Sequence, residues 1–227
     1  METRWAGKRV YTFGDSIMAQ DQKTFEPANP EYNQDKVGMI CRGYQTLLKE
    51  RLGIDVVQDF AVGGQGVRDQ MKIALEQDFR DIDIVLISVG VNNFSVGTPI
   101  GSIPATKEET HDDTFIGDYC TMMDHIYQSN PKVKIILMTP LHRDTTHRRG
   151  NTPINDIQTR IHGNVLADYA DAIKEIGSFY ACPVVDMYRE SGLNRFNLPL
   201  FTFEGVHPTN EGYEFIIQPL IHAFEKI

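Results

Sequence analysis

The chain has 227 residues, of which 41% are hydrophobic and 10% aromatic, and this suits a single domain spanning residues 1–227 with a substantial core. Its formal net charge of -9 disfavours binding to a nucleic-acid backbone or to an anionic membrane surface. The sequence has no apolar run of transmembrane length and no signal-peptide core, so we expect no membrane insertion and a cytoplasmic location.

The cysteines exclude a common class of metal site. Cys41, Cys120 and Cys182 lie in apolar or helical surroundings, and none belongs to a CxxC motif or to a Cys/His cluster with zinc spacing. We therefore expect reduced core cysteines, no bound metal and no cofactor. The sequence does not indicate an oligomeric state.

In chain order, β-rich or apolar runs alternate with helical periodicity. Strands are predicted at residues 10–14, 54–62, 82–89, 133–139 and 182–187. Helices are predicted at 37–52, 67–79, 115–127, 153–180 and from 210 to the end, with Pro219 expected to kink the last one. This alternation predicts an α/β fold with a five-stranded parallel sheet and helices on both faces.

Two long loops interrupt the pattern, at residues 90–113 and 141–152. Loops of this length are uncommon unless they form lids or binding walls. The second loop carries His142 and Arg143. Because ligands bind at the carboxyl ends of the strands in such sheets, residues that directly follow strands are the candidates for a functional site.

Ser16 is the first such candidate. It follows the first predicted strand in the sequence Gly14-Asp15-Ser16, at a sharp turn that would hold its hydroxyl at the edge of the sheet. Taken alone, the triplet is also typical of an ordinary turn. A catalytic serine needs a base, a group that orients the base, and donors for the oxyanion.

The C-terminal part of the chain offers the base and its partner. Glu204 precedes His207 by three residues in a Gly/Pro-containing loop after the last predicted strand, so both side chains can reach the edge where Ser16 lies. The alternative interpretation of a single histidine is a surface or packing residue.

Candidate oxyanion donors follow two other strands. They are the backbone N–H of Gly64 and the side-chain amide of Asn92, together with the N–H of Ser16. Each such donor is typically worth about 2.7 to 4 kcal/mol in the transition state. Gly63 and Gly64 are equally consistent with a plain turn.

Together these segments carry a resemblance to a known family. The blocks in chain order are Gly14-Asp15-Ser16, Ala61-Val62-Gly63-Gly64, Gly90-Val91-Asn92-Asn93 and Glu204-Gly205-Val206-His207-Pro208. They resemble the four blocks of the SGNH, or GDSL-type, hydrolases, and the first two are similar to the rhamnogalacturonan acetylesterase branch. Residues 97–101 and 139–143 resemble bacterial GDSL-like acylhydrolases. The resemblance implies a flavodoxin-like three-layer sandwich, with Ser16 as nucleophile, His207 as base, and Ser16, Gly64 and Asn92 as the oxyanion hole.

The sequence departs from the family pattern at two positions. Glu204 stands where the family normally has aspartate, and its extra methylene adds roughly 1.5 Å of reach, so the loop backbone must sit further from the histidine. Asn93 stands where family members tend to have aspartate after the asparagine.

Our leading hypothesis is a serine esterase that removes a short acyl group, most simply acetyl, from a carbohydrate, so that the partner is a small acylated saccharide. Polar residues around the site favour this substrate. The substrate-binding candidates are Asp15, Gln65, Asn93 and Arg143. A solvated surface side chain is the alternative for Arg143.

Two other hypotheses remain open. A lipolytic acylhydrolase or thioesterase for longer chains would need an apolar trench, for which the candidates are Phe94, Ile100, Ile103 and Phe115. The departures at positions 93 and 204 suggest a catalytically idle relative that binds a glycan or a protein. Nucleotide binding is disfavoured, because no glycine-rich phosphate motif follows the first strand.

Overall fold

The computed structural model describes residues 3–26, 30–104, 113–145 and 154–227. It confirms the predicted five-stranded parallel sheet, with strand order β2-β1-β3-β4-β5. The strands are β1 (Arg9–Gly14), β2 (Asp55–Asp59), β3 (Ile84–Ser88), β4 (Lys134–Met138) and β5 (Val184–Val185).

Helices cover both faces of this sheet and give the expected three layers. They are α1 (Ser16–Ala19), α2 (Tyr44–Leu52), α3 (Val67–Leu75), α4 (Val91–Val96), α5 (Phe115–Ser129), α6 (Leu166–Phe179), α7 (Met187–Glu190), α8 (Leu198–Phe201) and α9 (Asn210–Phe224). One apolar cluster packs α2 and α9 on one face, and a second packs α3, α5 and α6 on the other. The helix α9 continues through Pro219.

The helix predicted at 37–52 begins only at Tyr44. The preceding residues pair instead with an earlier segment, where Cys41 N–H donates to the Lys23 carbonyl at 2.9 Å and Thr24 bridges Ile40. Ile40 is half exposed, so the apolar spacing before residue 44 does not mark a buried helical face. Tertiary backbone pairing overrides the local periodicity there.

Other parts of the chain also differ from the prediction. The helix predicted at 153–180 begins at Leu166, because Asn155 pairs with Asp144 in an antiparallel bridge before the helix starts. The loop predicted at 90–113 opens with the short helix α4. Positions 105–112 and 146–152 of the two predicted loops, and Pro153 at the predicted start of the next helix, lie outside the described residues.

The cysteines are unpaired, with Cys41 and Cys120 buried and Cys182 partly buried. Within the described residues, no helix has both the length and the apolar character needed to cross a bilayer.

Candidate active site

A serine, a histidine and a glutamate meet at the carboxyl edge of the sheet. Nε2 of His207 lies 2.8 Å from Oγ of Ser16, although the two residues are 191 positions apart in the chain. Nδ1 of His207 faces Oε1 of Glu204, and the backbone N–H of His207 donates to the same oxygen at 3.1 Å. Because a carboxylate only accepts hydrogen bonds, Nδ1 carries the proton and Nε2 accepts from the serine hydroxyl. This geometry suits proton transfer from the serine to the histidine.

The loop that carries the histidine and the glutamate is held tightly. It closes on an antiparallel bridge between Thr202 and Pro208. Gly205 within it has a φ of 82°, and a Cβ at this position would come within 1.8 Å of the Asp144 carbonyl oxygen. Only glycine fits there, so the backbone path that presents both side chains depends on it.

The serine is presented by the turn between β1 and α1. Asp15 is the N-cap of α1, and its Oδ1 accepts the Ile17 N–H at 2.9 Å. Its side chain is buried, with the residue 3% exposed. Burial raises the pKa of Asp15 to about 6, while the Ile17 hydrogen bond, the imidazolium form of His207 and the charge of Arg143 lower it. Asp15 thus lies beneath the site as a helix cap.

The predicted oxyanion donors lie beside the serine. Gly64 has a φ of 80° in the turn before α3, and the space around it is open. In the same turn, a Cβ on Gly63 would lie 3.7 Å from the Cβ of Ser16. The Asn92 amide donates to the Gln65 carbonyl at 3.0 Å, which fixes it against this turn and leaves its second N–H for another acceptor. The structure therefore places Gly63, the neighbour of Gly64, next to Ser16 and holds Asn92 against the same turn.

These features coincide with a family signature. The sequence model of one family, the GDSL-like Lipase/Acylhydrolase family, matches residues 12–215 and so includes all four blocks. The chain belongs to the GDSL-like lipase/acylhydrolase family. Membership supports an esterase or acylhydrolase activity and a small ester substrate. No match to the chain was found among curated proteins.

Solved structures share the fold of this GDSL-like protein at low sequence identity. A possible lipase from Chitinophaga pinensis is 21% identical, with 96% of this chain and 98% of that chain covered and a TM-score of 0.74. A lipase/acylhydrolase from Enterococcus faecalis is 19% identical, with 96% of each chain covered and a TM-score of 0.64. A salicylyl-acyltransferase from a tetracycline biosynthetic pathway is 14% identical, with 97% of this chain and 55% of that chain covered and a TM-score of 0.63.

Two of the predicted substrate-binding residues have protein partners in this GDSL-like structure. The Asn93 carbonyl oxygen accepts the Val67 N–H at the start of α3 at 3.0 Å, and its amide nitrogen donates to Thr98 at 3.2 Å. The Gln65 side-chain oxygen accepts from Gln70 at 2.6 Å. Asn93 is buried, joins α4 to α3 and also lines a cleft together with Gly64 and Asn92.

Gln70 is a residue that the sequence reasoning missed. It is fully buried, accepts the Gly14 N–H at 3.0 Å and donates to the Phe60 carbonyl at 3.2 Å, so it joins the strand before Ser16 to the segment before Gly64. The sequence could have identified it, because Gln70 lies on the same helical face as the apolar residues Val67 and Ala74. A glutamine on such a face needs internal partners.

Arg143 lies in a segment after β4 in which buried and more exposed residues alternate. Leu141, Arg143 and Thr145 are buried, whereas His142 and Asp144 are partly exposed. Nη1 of Arg143 donates to the Ser95 hydroxyl at 2.5 Å on α4, the helix that carries Asn92. The solvated surface arginine of the alternative interpretation is therefore wrong.

The residues proposed for an apolar trench do not form one. Phe94 and Phe115 are fully buried in the core cluster that packs α3, α5 and α6, and Ile100 and Ile103 pack against that cluster. Instead, a cleft of about 460 Å³ lies beside Gly64 and Asn92. Its lining includes the charged side chains of Arg68, Asp69, Asp113 and Asp118.

The described residues hold no group of three His, Cys, Asp or Glu side chains that could bind a metal ion.

Proposed function

We propose that this GDSL-like protein is a serine esterase that removes a short acyl group, acetyl in the simplest case, from a carbohydrate through an acyl-enzyme. The observation that carries the proposal is the 2.8 Å contact between Oγ of Ser16 and Nε2 of His207, with Nδ1 of the same ring on Glu204. In this proposal, His207 takes the hydroxyl proton as Ser16 attacks the ester carbonyl.

The remaining steps use the same groups. The carbonyl oxygen becomes negative in the tetrahedral intermediate and is stabilised by the N–H groups of Ser16, Gly64 and Asn92. His207 then gives its proton to the leaving alcohol, and the acyl group stays on Ser16. Water, deprotonated by His207, attacks the acyl-enzyme and releases the carboxylic acid. Glu204 holds the ring in the required tautomer and stabilises the imidazolium.

The size and polarity of the surroundings support a short acyl group. The aromatic side chains that would line a trench for a long chain belong to the core. The cleft beside Gly64 and Asn92 is lined largely by charged and polar side chains, which do not favour burial of an alkyl chain.

Hydrolysis of p-nitrophenyl esters tests the proposal. The wild-type protein should release nitrophenol from the acetyl ester, the rate should fall as the acyl chain lengthens to octanoyl, and Ser16→Ala should lack the activity. The matched control is Ser178→Ala, because Ser178 is exposed on α6 and bonds only its own helix at Lys174. Retained hydrolysis in Ser16→Ala would refute the nucleophile, and a rate that rises toward octanoyl would refute the short acyl group.

A fluorophosphonate probe separates an active serine from an idle site. The folded wild-type protein should be labelled at Ser16 and the Ser16→Ala protein should not. Absence of labelling in the folded wild-type protein would support the idle relative.

A further inference from the structure

A second cleft, of about 640 Å³, is lined in part by the segment that follows β4. Its lining is polar and aromatic and includes His142, Asp144, Asn155, Tyr188, Asn194 and Phe196. It shares no lining residue with the cleft beside Gly64 and Asn92. The acyl-transfer mechanism described above uses none of these side chains.

A second histidine–carboxylate pair lies in the wall of this cleft. Nδ1 of His142 bonds Oδ2 of Asp156, and the His142 ring stacks on Tyr188 with centroids 4.1 Å apart and an interplanar angle of 29°. The two contacts fix the plane of the ring and its tautomer, so Nε2 is the ring atom left to meet a ligand. The described residues lining the cleft include no serine, threonine or cysteine, which points to binding and not to covalent catalysis.

The cleft adjoins the loop that carries His207. The Asp144 N–H donates to the Gly205 carbonyl at 2.9 Å, in the loop between Glu204 and His207. In ester cleavage the leaving alcohol lies next to the imidazole that protonates it. The alcohol portion of a substrate bound at Ser16 therefore extends toward the His207 side. The segment that contains His142 and Asp144 lies on that side.

The chemistry of the lining identifies the class of alcohol. Phe196 is 82% exposed and presents an aromatic ring to solvent, while Asn155 and Asn194 offer amide donors and acceptors. Formal charges in the lining balance, with two arginines, Arg143 and Arg195, and two aspartates, Asp144 and Asp156. An aromatic face beside neutral hydrogen-bonding groups suits a polyhydroxylated ring without net charge.

We propose that this cleft binds the neutral saccharide portion of the ester, with His142 Nε2 bonding a sugar hydroxyl and Phe196 covering a face of the ring. The inference rests on the proposed esterase function and deepens it by assigning the leaving-group subsite. Asp156 and Tyr188 act as positioning residues for His142. The acyl group lies on the opposite side of Ser16, outside this cleft.

The test compares two substrates that share the acetyl group. Acetylated xylotetraose carries a saccharide leaving group, and ethyl acetate carries a leaving group too small to fill the cleft. For His142→Ala and for Phe196→Ala, the ratio of kcat/KM for acetylated xylotetraose to kcat/KM for ethyl acetate should fall about tenfold, the loss expected for one ligand hydrogen bond or contact. The change should appear in KM for the saccharide ester and not in kcat.

Two further variants sharpen the assignment. His142→Gln keeps a donor near the position of Nε2 and should recover part of the lost ratio. His222→Ala is the matched control, because His222 is exposed at the end of α9 and does not line the cleft. Its ratio should equal that of the wild-type protein.

The proposal is overturned if the ratio is unchanged in both His142→Ala and Phe196→Ala, or if wild-type protein that hydrolyses ethyl acetate leaves acetylated xylotetraose and acetylated cellotetraose intact. It is also overturned if the variants lose activity on 2-naphthyl acetate but not on the saccharide esters, because the cleft then takes an aromatic alcohol. Failure of the esterase proposal has a different result, which is the absence of Ser16-dependent hydrolysis of every ester.

Discussion

The molecule contains two histidine–carboxylate pairs, and we propose a catalytic role for one and a binding role for the other. In each pair Nδ1 of the ring bonds a carboxylate, Glu204 for His207 and Asp156 for His142. The histidine side chains are similarly exposed, at 23% and 25%. Only His207 has a serine hydroxyl at Nε2, since Ser16 is 2.8 Å away. A histidine bonded to a carboxylate therefore does not by itself define a catalytic site. The group at Nε2 distinguishes the two pairs.

The carboxylates differ more than the histidines do. The Glu204 side chain is 1% exposed, and its Oε2 has no hydrogen-bond partner among the described residues, whereas Asp156 is 17% exposed. Burying a carboxylate with an unsatisfied oxygen lowers the free energy of unfolding, so its presence beside His207 is consistent with a functional role. Asp156 bears a smaller desolvation cost at the wall of an open cleft.

Replacing the histidines gives the largest predicted contrast. His207→Ala should lower kcat for p-nitrophenyl acetate by about 10⁴- to 10⁶-fold, because the hydroxyl of Ser16 loses its base. His142→Ala should leave kcat on the same substrate near the wild-type value, since the lost contact is one of binding and acts on KM. Steady-state kinetics on both purified variants checks this, and equal losses would show that the two pairs are not functionally distinct.

Replacing the carboxylates gives the next contrast. Glu204→Gln keeps the shape but lets the amide donate to Nδ1, which favours the wrong tautomer, so kcat should fall by about 10³- to 10⁴-fold. Asp156→Asn should raise KM for acetylated xylotetraose by less than about tenfold and leave its kcat near the wild-type value. A similar kcat loss in both variants would contradict the separation of roles.

A change of chain length at position 204 sharpens the comparison within the catalytic pair. Glu204→Asp restores the residue usual in the family, but the loop backbone, fixed by Gly205 against Asp144, is set at the distance that suits glutamate. The shorter side chain should therefore hold His207 less well and lower kcat by about 10- to 100-fold. A kcat at or above the wild-type value would show that the loop adjusts to aspartate.

The four blocks of the candidate active site were predictable because each follows a strand of one parallel sheet. The carboxyl ends of parallel strands lie at one edge of the sheet, and Ser16 and His207 are in contact at that edge. The three-layer fold was predictable for the same reason, from apolar strand runs and helical spacing.

The second pair was not predictable, because no spacing rule links His142 to Asp156. Their pairing depends on the antiparallel bridge between Asp144 and Asn155, which brings two irregular segments together. The prediction of an apolar trench lined by Phe94 and Phe115 was wrong for a related reason. An apolar residue in a loop or helix can face the core as well as a cleft.

A further carboxylate near His207 gives the smallest predicted effect. Asp15 lies under Ser16, and burial raises its pKa from the usual 3.8 to about 6. The folded protein thus favours neutral Asp15. This residue does not lower the free energy of unfolding below pH 3.8, where it is neutral in both states. The loss of free energy grows as the pH rises toward 6 and is constant above that value. Each unit of difference in pKa corresponds to about 1.36 kcal/mol, so ionised Asp15 lowers the free energy of unfolding by about 3 kcal/mol at high pH.

Asp15→Asn keeps an oxygen that can accept the Ile17 N–H and removes the charge. Between pH 4 and pH 8, the free energy of unfolding of the variant should therefore rise relative to that of the wild-type protein by about 2 kcal/mol. Urea unfolding at both pH values measures this, and comparison at equal pH cancels the contributions of titrating groups that do not interact with Asp15. A difference that does not change with pH would mean that Asp15 is ionised at no net cost, held by the Ile17 hydrogen bond and by the charge of Arg143. The two histidines would then differ in their electrostatic surroundings as well as in the group at Nε2.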